Sequence, residues 1–484
     1  MTEKTIATGQ GRYTTFIGLE IHIHLLTTTK AFCGCRTAFG DEPNTNVCPV
    51  CLGYPGVLPA LNEEAVFKAY QVATALSCKL SPTTVFERKN YFYPDMPKNY
   101  QISQFAHPIG VDGFLDFPFD DEVRRIGIHD VHLEEDAGKM IHAADMTLLD
   151  YNRAGTPLLE IVTNPDLHSG AEAEAFIRYF RSTVRFLGVC DGNMEEGSLR
   201  CDANVSVNKK GRGLGTKVEI KNLNSSRFVR LALDFERQRH ESLLDEEKTI
   251  VQETRLWNEN RDLTIGMRTK EESQDYRYFP EPDLPPFRPT EEFIGRVRDS
   301  LEELPFPRRK RLSSRYGLSD EQAEFLCEEK ERADFFEDCI QHGADAQEAV
   351  LWISGEVMNR LNRSGKGFAD SPLSPKRLAE ILDLISKAMI HGKIGKQLLR
   401  AVFEEDRDPL SIVEERNWKQ MNAEEELLPI IRRVIEENAE AAEQARSGEE
   451  KVLGFLMGQL MKETSGRADP VRSRELMKNA LDKK

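Results

Sequence analysis

Three stretches of this chain alternate apolar and polar residues without a break, which commits each to a strand with two unlike faces. In the first, Ile17, Leu19, Ile21 and Ile23 alternate with Gly18, Glu20, His22 and His24. In the second, Leu199, Cys201, Ala203, Val205 and Val207 alternate with Ser198, Arg200, Asp202, Asn204 and Ser206. In the third, Val218 and Ile220 alternate with Lys217, Glu219 and Lys221. Such strands build an antiparallel sheet with one apolar face on a core and one polar face. Taken singly, each reads most simply as a strand with a solvated face. Together their polar rows hold a Glu-x-His, an Arg-x-Asp-x-Asn and a Lys-x-Glu-x-Lys. Carboxylates with a histidine suit a hard divalent ion, and neighbouring cations suit phosphate oxygens. That is the inventory of a phosphoryl-transfer site.

Two further segments fit the same chemistry. Residues 126–139 run from a strand-like start into the acid triplet Glu134, Glu135 and Asp136. In a regular strand Glu134 and Glu135 point to opposite faces, so only one is a ligand unless a bulge re-aims the other. Residues 88–103 mix cations, aromatics and prolines with no apolar period. A loop of that composition either packs on its own rings or binds nucleotides by stacking and charge. The motifs of common phosphate-binding folds are missing: there is no Gly-x-x-x-x-Gly-Lys-Ser/Thr loop, and Gly211-Arg-Gly-Leu-Gly215 reads as a hairpin turn.

Directly after the first strand come Cys33 and Cys35, then Cys48 and Cys51. Two close pairs across a short fold-back predict a closed four-thiolate zinc site, structural rather than catalytic. Nine cysteines, five of them scattered singly, do not form a disulfide framework, so a reducing cytoplasm is expected. No apolar run reaches membrane-spanning length, and residues 1–10 lack the apolar core of a secretory signal. A dominant RNA-binding surface is usually basic, so at a net charge of −16 any RNA contact is expected through local patches, of which residues 308–311 are the densest, or with partners supplying charge.

A length of 484 residues calls for two or three domains. Strand patterns fill residues 1–290, with helices at 62–77, where Asn62 is an N-cap candidate, and at 170–187. The proline-rich residues 280–289 read as a linker. Helical periodicity then governs 291–304, 320–337, 345–362, 374–390 and 395–404, with a second boundary near 406. Segments 410–420, 422–438 and 452–463 follow. The expected fold is α+β: an antiparallel-sheet domain at 1–290, then all-α domains at 291–405 and 406–484.

Several long motifs in order resemble one family. They are Ile17-Gly-Leu-Glu-Ile-His22, residues 44–59 around Cys48 and Cys51, Arg88-Lys-Asn-Tyr-Phe-Tyr-Pro-Asp95, residues 132–139, residues 151–158, and Asp275-Tyr-Arg-Tyr-Phe-Pro280 with its continuation to Pro285. Together they closely resemble the B subunit of the bacterial tRNA-dependent amidotransferase, over essentially the whole chain. The resemblance implies a sheet like the catalytic sheet of glutamine synthetase and a tRNA-contacting helical tail. It implies an ATP-dependent carbon–nitrogen ligase that phosphorylates the side-chain carboxylate of misacylated Glu-tRNA(Gln) or Asp-tRNA(Asn). The family's A subunit, a glutaminase (amidase), then delivers ammonia, and its small C subunit completes a heterotrimer. Carried over by motif, Glu20, His22, Glu134, Glu135, Asp202 and Glu219 are the magnesium ligands. Glu20, His22 and Glu135 are the catalytic set, and Lys89, Lys98 and Ser103 are contacts for ATP or the ammonia path. His24 matches less well and is left out. The alternative is a zinc-bearing tRNA scaffold whose chemistry lies in its partners. A third reading, a stand-alone small-substrate ligase, sits poorly with the helical tail.

Overall fold

The computed structural model describes residues 12–482 except 121, 144, 268–275, 422, 447–449 and 465. The motif residue Asp275, the helix start expected at Asn422 and the N-terminal ten residues lie outside the described residues. The architecture is mixed, with strands first and helices after, and the chain divides into two compact units, Met1–Arg308 and Arg309–Lys484.

The first unit opens with β1 (Tyr13–His24), α1 (Glu63–Ala75), β2 (Lys79–Leu80), β3 (Glu87–Asn90) and β4 (Tyr100–Ser103). It continues with β5 (Gly110–Phe119), β6 (Glu122–Glu135), β7 (Lys139–His142), β8 (Thr147–Asp150) and β9 (Pro157–Thr163). Then come α2 (Gly170–Phe186), β10 (Leu199–Lys209), β11 (Val218–Lys221), α3 (Ser226–Asp245), β12 (Thr254–Asn258), β13 (Leu263–Gly266), β14 (Phe279–Pro280) and α4 (Glu291–Asp299). Nine strands form one sheet in the order β13-β12-β11-β10-β1-β9-β6-β5-β2, while β14-β3-β4 and β7-β8 form two smaller ones.

All three alternating stretches are strands of the large sheet, and neighbours in it. β1 pairs with β10 so that Glu20 faces Asp202, and β10 pairs with β11 so that Asn204 faces Glu219. One face is apolar: Ile17, Leu19, Ile21 and Ile23 are at most 1% exposed and join Ala203, Val205, Val218 and Ile220 in a single core. Phe176, Phe180, Val229 and Leu233 of α2 and α3 complete that core. Burying each large apolar side chain is worth about 1.5–3 kcal/mol, which is what holds the opposite, polar face in register. Side-chain caps start the helices: Ser169 accepts from Glu172 N, Ser225 from Phe228 N, and Asn62 from Ala65 N. Asn62 also donates to the carbonyls of Thr29 and Lys30, fastening α1 to the start of the cysteine loop.

Three features depart from the sequence expectations. The large sheet is not wholly antiparallel, because β11 and β12 run parallel. Parallel neighbours need a long crossover, and α3 supplies it. The proline-rich 280–289 segment is not a linker. Pro280 pairs with Glu87 in β3, Phe287 bridges to Thr84, and Leu284 is buried in the core. Phe293, Ile294 and Val297 of α4 enter that core too, with Phe293 packed against Phe67 and Tyr70, so the first unit ends near 308 rather than 290.

β6 carries a bulge. Against β9 the register steps from Ile128↔Thr163 to Asp130↔Val162, leaving His129 as one extra residue. Ile126 and Ile128 face the core before the bulge, and Val131 and Leu133 face it after.

The second unit, Arg309–Lys484, is helical in the described residues. Its C-terminal helices have their own cluster, built from Leu427, Ile431, Val434, Leu456, Leu460 and Met477. The helix expected at 320–337 is two, Asp320–Cys327 and Lys330–Gln341, and a π turn at Ile353–Val357 interrupts 346–364. The basic run 308–311 is not an open phosphate patch: Arg309 pairs with Glu324 at 3.0 Å, Arg311 with Glu337 at 2.6 Å, and Arg308 is buried.

Candidate active site

The polar face of the sheet gathers two groups of ligand-type side chains. In one, ligand atoms of Glu20, Asp202 and Glu219 lie within 4.8 Å of one another. In the other, His22, Glu134 and Glu160 do the same. Register explains both. Glu20 and His22 are successive polar residues of β1, about 7 Å apart along the strand. Asp202 lies opposite Glu20, and Glu160 of β9 lies opposite both His22 and His132.

The first group is short of positive charge. Lys221 pairs with Asp202 at 2.7 Å and Glu219 at 3.0 Å, Asn204 donates to Glu20 at 2.8 Å, and Thr254 donates to Glu219 at 2.7 Å. Three carboxylates thus share one ammonium. Burial pushes the Glu20 carboxyl above its ordinary range, and the charges of Glu160, Glu219 and Asp202 push it further against the Asn204 hydrogen bond. A hard divalent cation is what such a donor set fits.

The second group is balanced from within the protein. His22 Nε2 and His132 Nε2 each lie 3.2 Å from Glu160 Oε2, and Asp130 holds the other nitrogen of His132 at 2.7 Å. Burial alone would raise the Glu160 carboxyl, but hydrogen bonds from His132 and His22 hold it well below the usual range. Burial would likewise lower His132, yet Asp130, Glu134 and Glu160 push it well above the ordinary imidazole value. The small sheet lids this group. Ser103 Oγ donates to Glu134 at 2.6 Å, Gln101 donates to it at 2.8 Å, and Lys89 Nζ stands 3.9 Å away.

The sequence-predicted residues therefore separate. Glu20, Asp202 and Glu219 come together, as do His22 and Glu134, with Lys89 and Ser103 beside them. Glu135 and Lys98 face away: Lys98 pairs with Glu135, and the Glu135 carboxylate also accepts from Ile102 N at 2.9 Å. Both line a cavity of about 390 Å³ shared with Lys30, Phe32, Cys51 and Tyr100. Glu160 and His132 were not anticipated. Glu160 was readable as the lone acid in the apolar run Pro157–Thr163, since a buried charge needs a partner. His24, set aside from sequence, is occupied otherwise, with its Nε2 2.6 Å from Asp136, which Arg200 also holds at 2.8 Å.

The four cysteines Cys33, Cys35, Cys48 and Cys51 also fit one ion, their sulfurs lying within 4.8 Å of one another. A hydrogen bond from Cys33 does most to draw the Cys51 thiol down to about 4. The Cys48 backbone and the buried Lys30, 3.6 Å from its sulfur, add to this against burial. A thiol held as thiolate is a metal ligand.

Fold and polar face together define a catalytic-domain class. The family model described as the GatB/GatE catalytic domain matches residues 15–295, and one described as the GatB domain matches residues 334–481. The chain is similar to the aspartyl/glutamyl-tRNA(Asn/Gln) amidotransferase B subunit of Carboxydothermus hydrogenoformans, 45% identical over 477 residues covering 97% of this chain and 99% of that protein. It is 48% identical over 475 residues to the B subunit of Geobacter sulfurreducens, covering 97% and 99%. It is 46% identical over 474 residues to that of Thermoanaerobacter sp. strain X514, covering 98% and 100%. The chain belongs to the family of aspartyl/glutamyl-tRNA(Asn/Gln) amidotransferase B subunits.

Proposed function

We propose that this chain carries out the ATP-dependent step of tRNA transamidation: transfer of a phosphoryl group to the side-chain carboxylate of Glu-tRNA(Gln) or Asp-tRNA(Asn), then displacement of phosphate by ammonia. A carboxylate is a poor electrophile with a poor leaving oxygen, and phosphorylation answers both faults. The observation that supports this reading is the pair of ligand groups on one sheet face, Glu20/Asp202/Glu219 and His22/Glu134/Glu160, with cations at their rim. Magnesium held there would supply the positive charge that steadies a transferring phosphoryl group. Glu20, Asp202 and Glu219 hold the ion. Lys221 and Lys89 sit where phosphate oxygens arrive, and Ser103 and Gln101 fix the rotamer of Glu134.

Lys98 and Glu135, turned to the other cavity, suit the path of ammonia, delivered by the glutaminase of a complex that includes a small third protein. Zinc in the cysteine quartet would fasten the wall of that cavity, to which Cys33 and Cys51 contribute. In the assembled complex, His22→Ala and Glu20→Gln should each abolish ATP-dependent amide formation while glutaminase activity and tRNA binding persist. Amide formation that survived either change would return the chain to the role of a binding scaffold.

A further inference from the structure

Beside the second ligand group, aromatic rings form a connected surface. Tyr93, Tyr91, Tyr276 and Tyr278 meet edge to face, with centroids 6.0, 6.2 and 6.1 Å apart, and Phe105 stacks on Tyr278 at 4.6 Å. Phe92 and Phe279 stand out from it, 80% and 43% exposed. The Tyr93 end opens into a shallow cavity of about 770 Å³ that Asn90 and Arg277 also line. Hydrogen bonds tie its two sides together: Asn90 N donates to the Tyr276 carbonyl at 2.9 Å and the Asn90 side chain to the Arg277 carbonyl at 2.8 Å. Lys89 joins it to the active face, its Nζ 5.2 Å from the Tyr276 ring centre and 3.9 Å from Glu134.

We propose that this surface stacks the unpaired 3′-terminal bases of the aminoacylated RNA and aims the ester-linked amino acid at Lys89 and Glu134. The inference rests on the function proposed above. The exposed faces of Phe92, Phe105, Tyr93 and Phe279, with cations beside them, are what the bases of a single strand recognise. The seven rings offer more surface than one adenine covers, so a run of bases fits better than ATP. The reacting carboxylate belongs to an amino acid esterified to the last nucleotide, so that base must lie one aminoacyl arm from the ligand groups. Lys89 spans that interval. Exposed aromatic patches of this extent mark binding surfaces rather than packing.

The test uses the complex of this chain with its partner proteins and an RNA minihelix whose single-stranded 3′ end terminates in 2-aminopurine. Stacking should quench the fluorophore on the wild-type complex. In the Phe92→Ala/Phe279→Ala variant the quench should be lost, and KM for misacylated tRNA should rise about tenfold per lost stack. KM for ATP and glutaminase activity should stay unchanged, and Phe92→Trp should keep the quench. An unaltered quench and an unaltered KM for tRNA would overturn the proposal. So would a rise in KM for ATP alone, which would give the rings to the nucleotide. A wild-type complex that quenches the probe yet forms no amide with ATP would sink the phosphoryl-transfer reading and leave the stacking surface standing.

Discussion

His132 touches Glu160 and Glu134 with one nitrogen and Asp130 with the other, so it fixes two ligand side chains without joining either ligand group. Residues that orient ligands in this way matter nearly as much as the ligands. Replacing His132 with glutamine should raise the magnesium concentration needed for half-maximal amide formation about 10- to 100-fold, measured by titrating the ion at saturating ATP. Glu236 shows the same economy away from the site. Burial would raise its carboxyl, but hydrogen bonds from His240, Arg239 and Thr264 override it and hold it at about 2. Its folded value is thus depressed below the ordinary 4.5. The stabilisation is fully present above pH 4.5 and is lost as pH falls toward 2, a difference of roughly 3 kcal/mol. Thermal unfolding between pH 5 and 2.5 should be steeper for the wild type than for Glu236→Gln, which should also melt lower at pH 7. Parallel slopes would show that Glu236 is not held in this way.

At the scale of elements, the cysteine loop stands between β1 and α1 and contributes few apolar side chains to the core, so its order depends on the sulfurs. Cys33→Ser or Cys48→Ser should lose the metal found by elemental analysis. A loss of only ~2 kcal/mol would lower the thermal midpoint of a unit this size by about 3 °C. Amide formation should fall only in proportion to unfolded protein. Which elements were readable in the sequence follows from how each is buried. β1, β10 and β11 keep one polar face, so their alternation is plain, and Asn62 announces α1 because a cap is a local device. β9 is buried on both faces apart from the half-buried Glu160 and Val162 and reads as a simple apolar run. The parallel β11–β12 pair depends on where α3 packs, which no local pattern encodes. The π turn at 353–357 hides for the opposite reason, since one widened turn hardly disturbs a 3.6-residue period. Among the proposed site residues, those on alternating strands could be read as neighbours on one face. Glu135 was grouped with them because sequence adjacency to Glu134 says nothing about which face each takes.

At the scale of the whole molecule, a catalytic sheet of net acidic composition is followed by helices whose last four enclose a core of their own. A chain ending after Gln420 should therefore keep the first unit's near-UV circular dichroism. KM for misacylated tRNA should rise on the order of 100-fold, as for loss of one arm of a two-point attachment. A KM that did not move would remove the tail from the substrate-binding surface. The bulge at His129 carries a consequence for how this molecule tolerates changes in length. His129 has 70% of its side chain in solvent, and by exposure alone its removal would count as harmless. Deleting it would bring Ile128 and Val131 into plain two-residue alternation, so Val131 and Leu133 would keep the core face. Glu134 and Glu135 would then keep their compartments, and the pairing with β5 would absorb the missing residue. A variant lacking this surface residue would keep both carboxylates in place, whereas loss of His132, inside the regular stretch that follows, would exchange them.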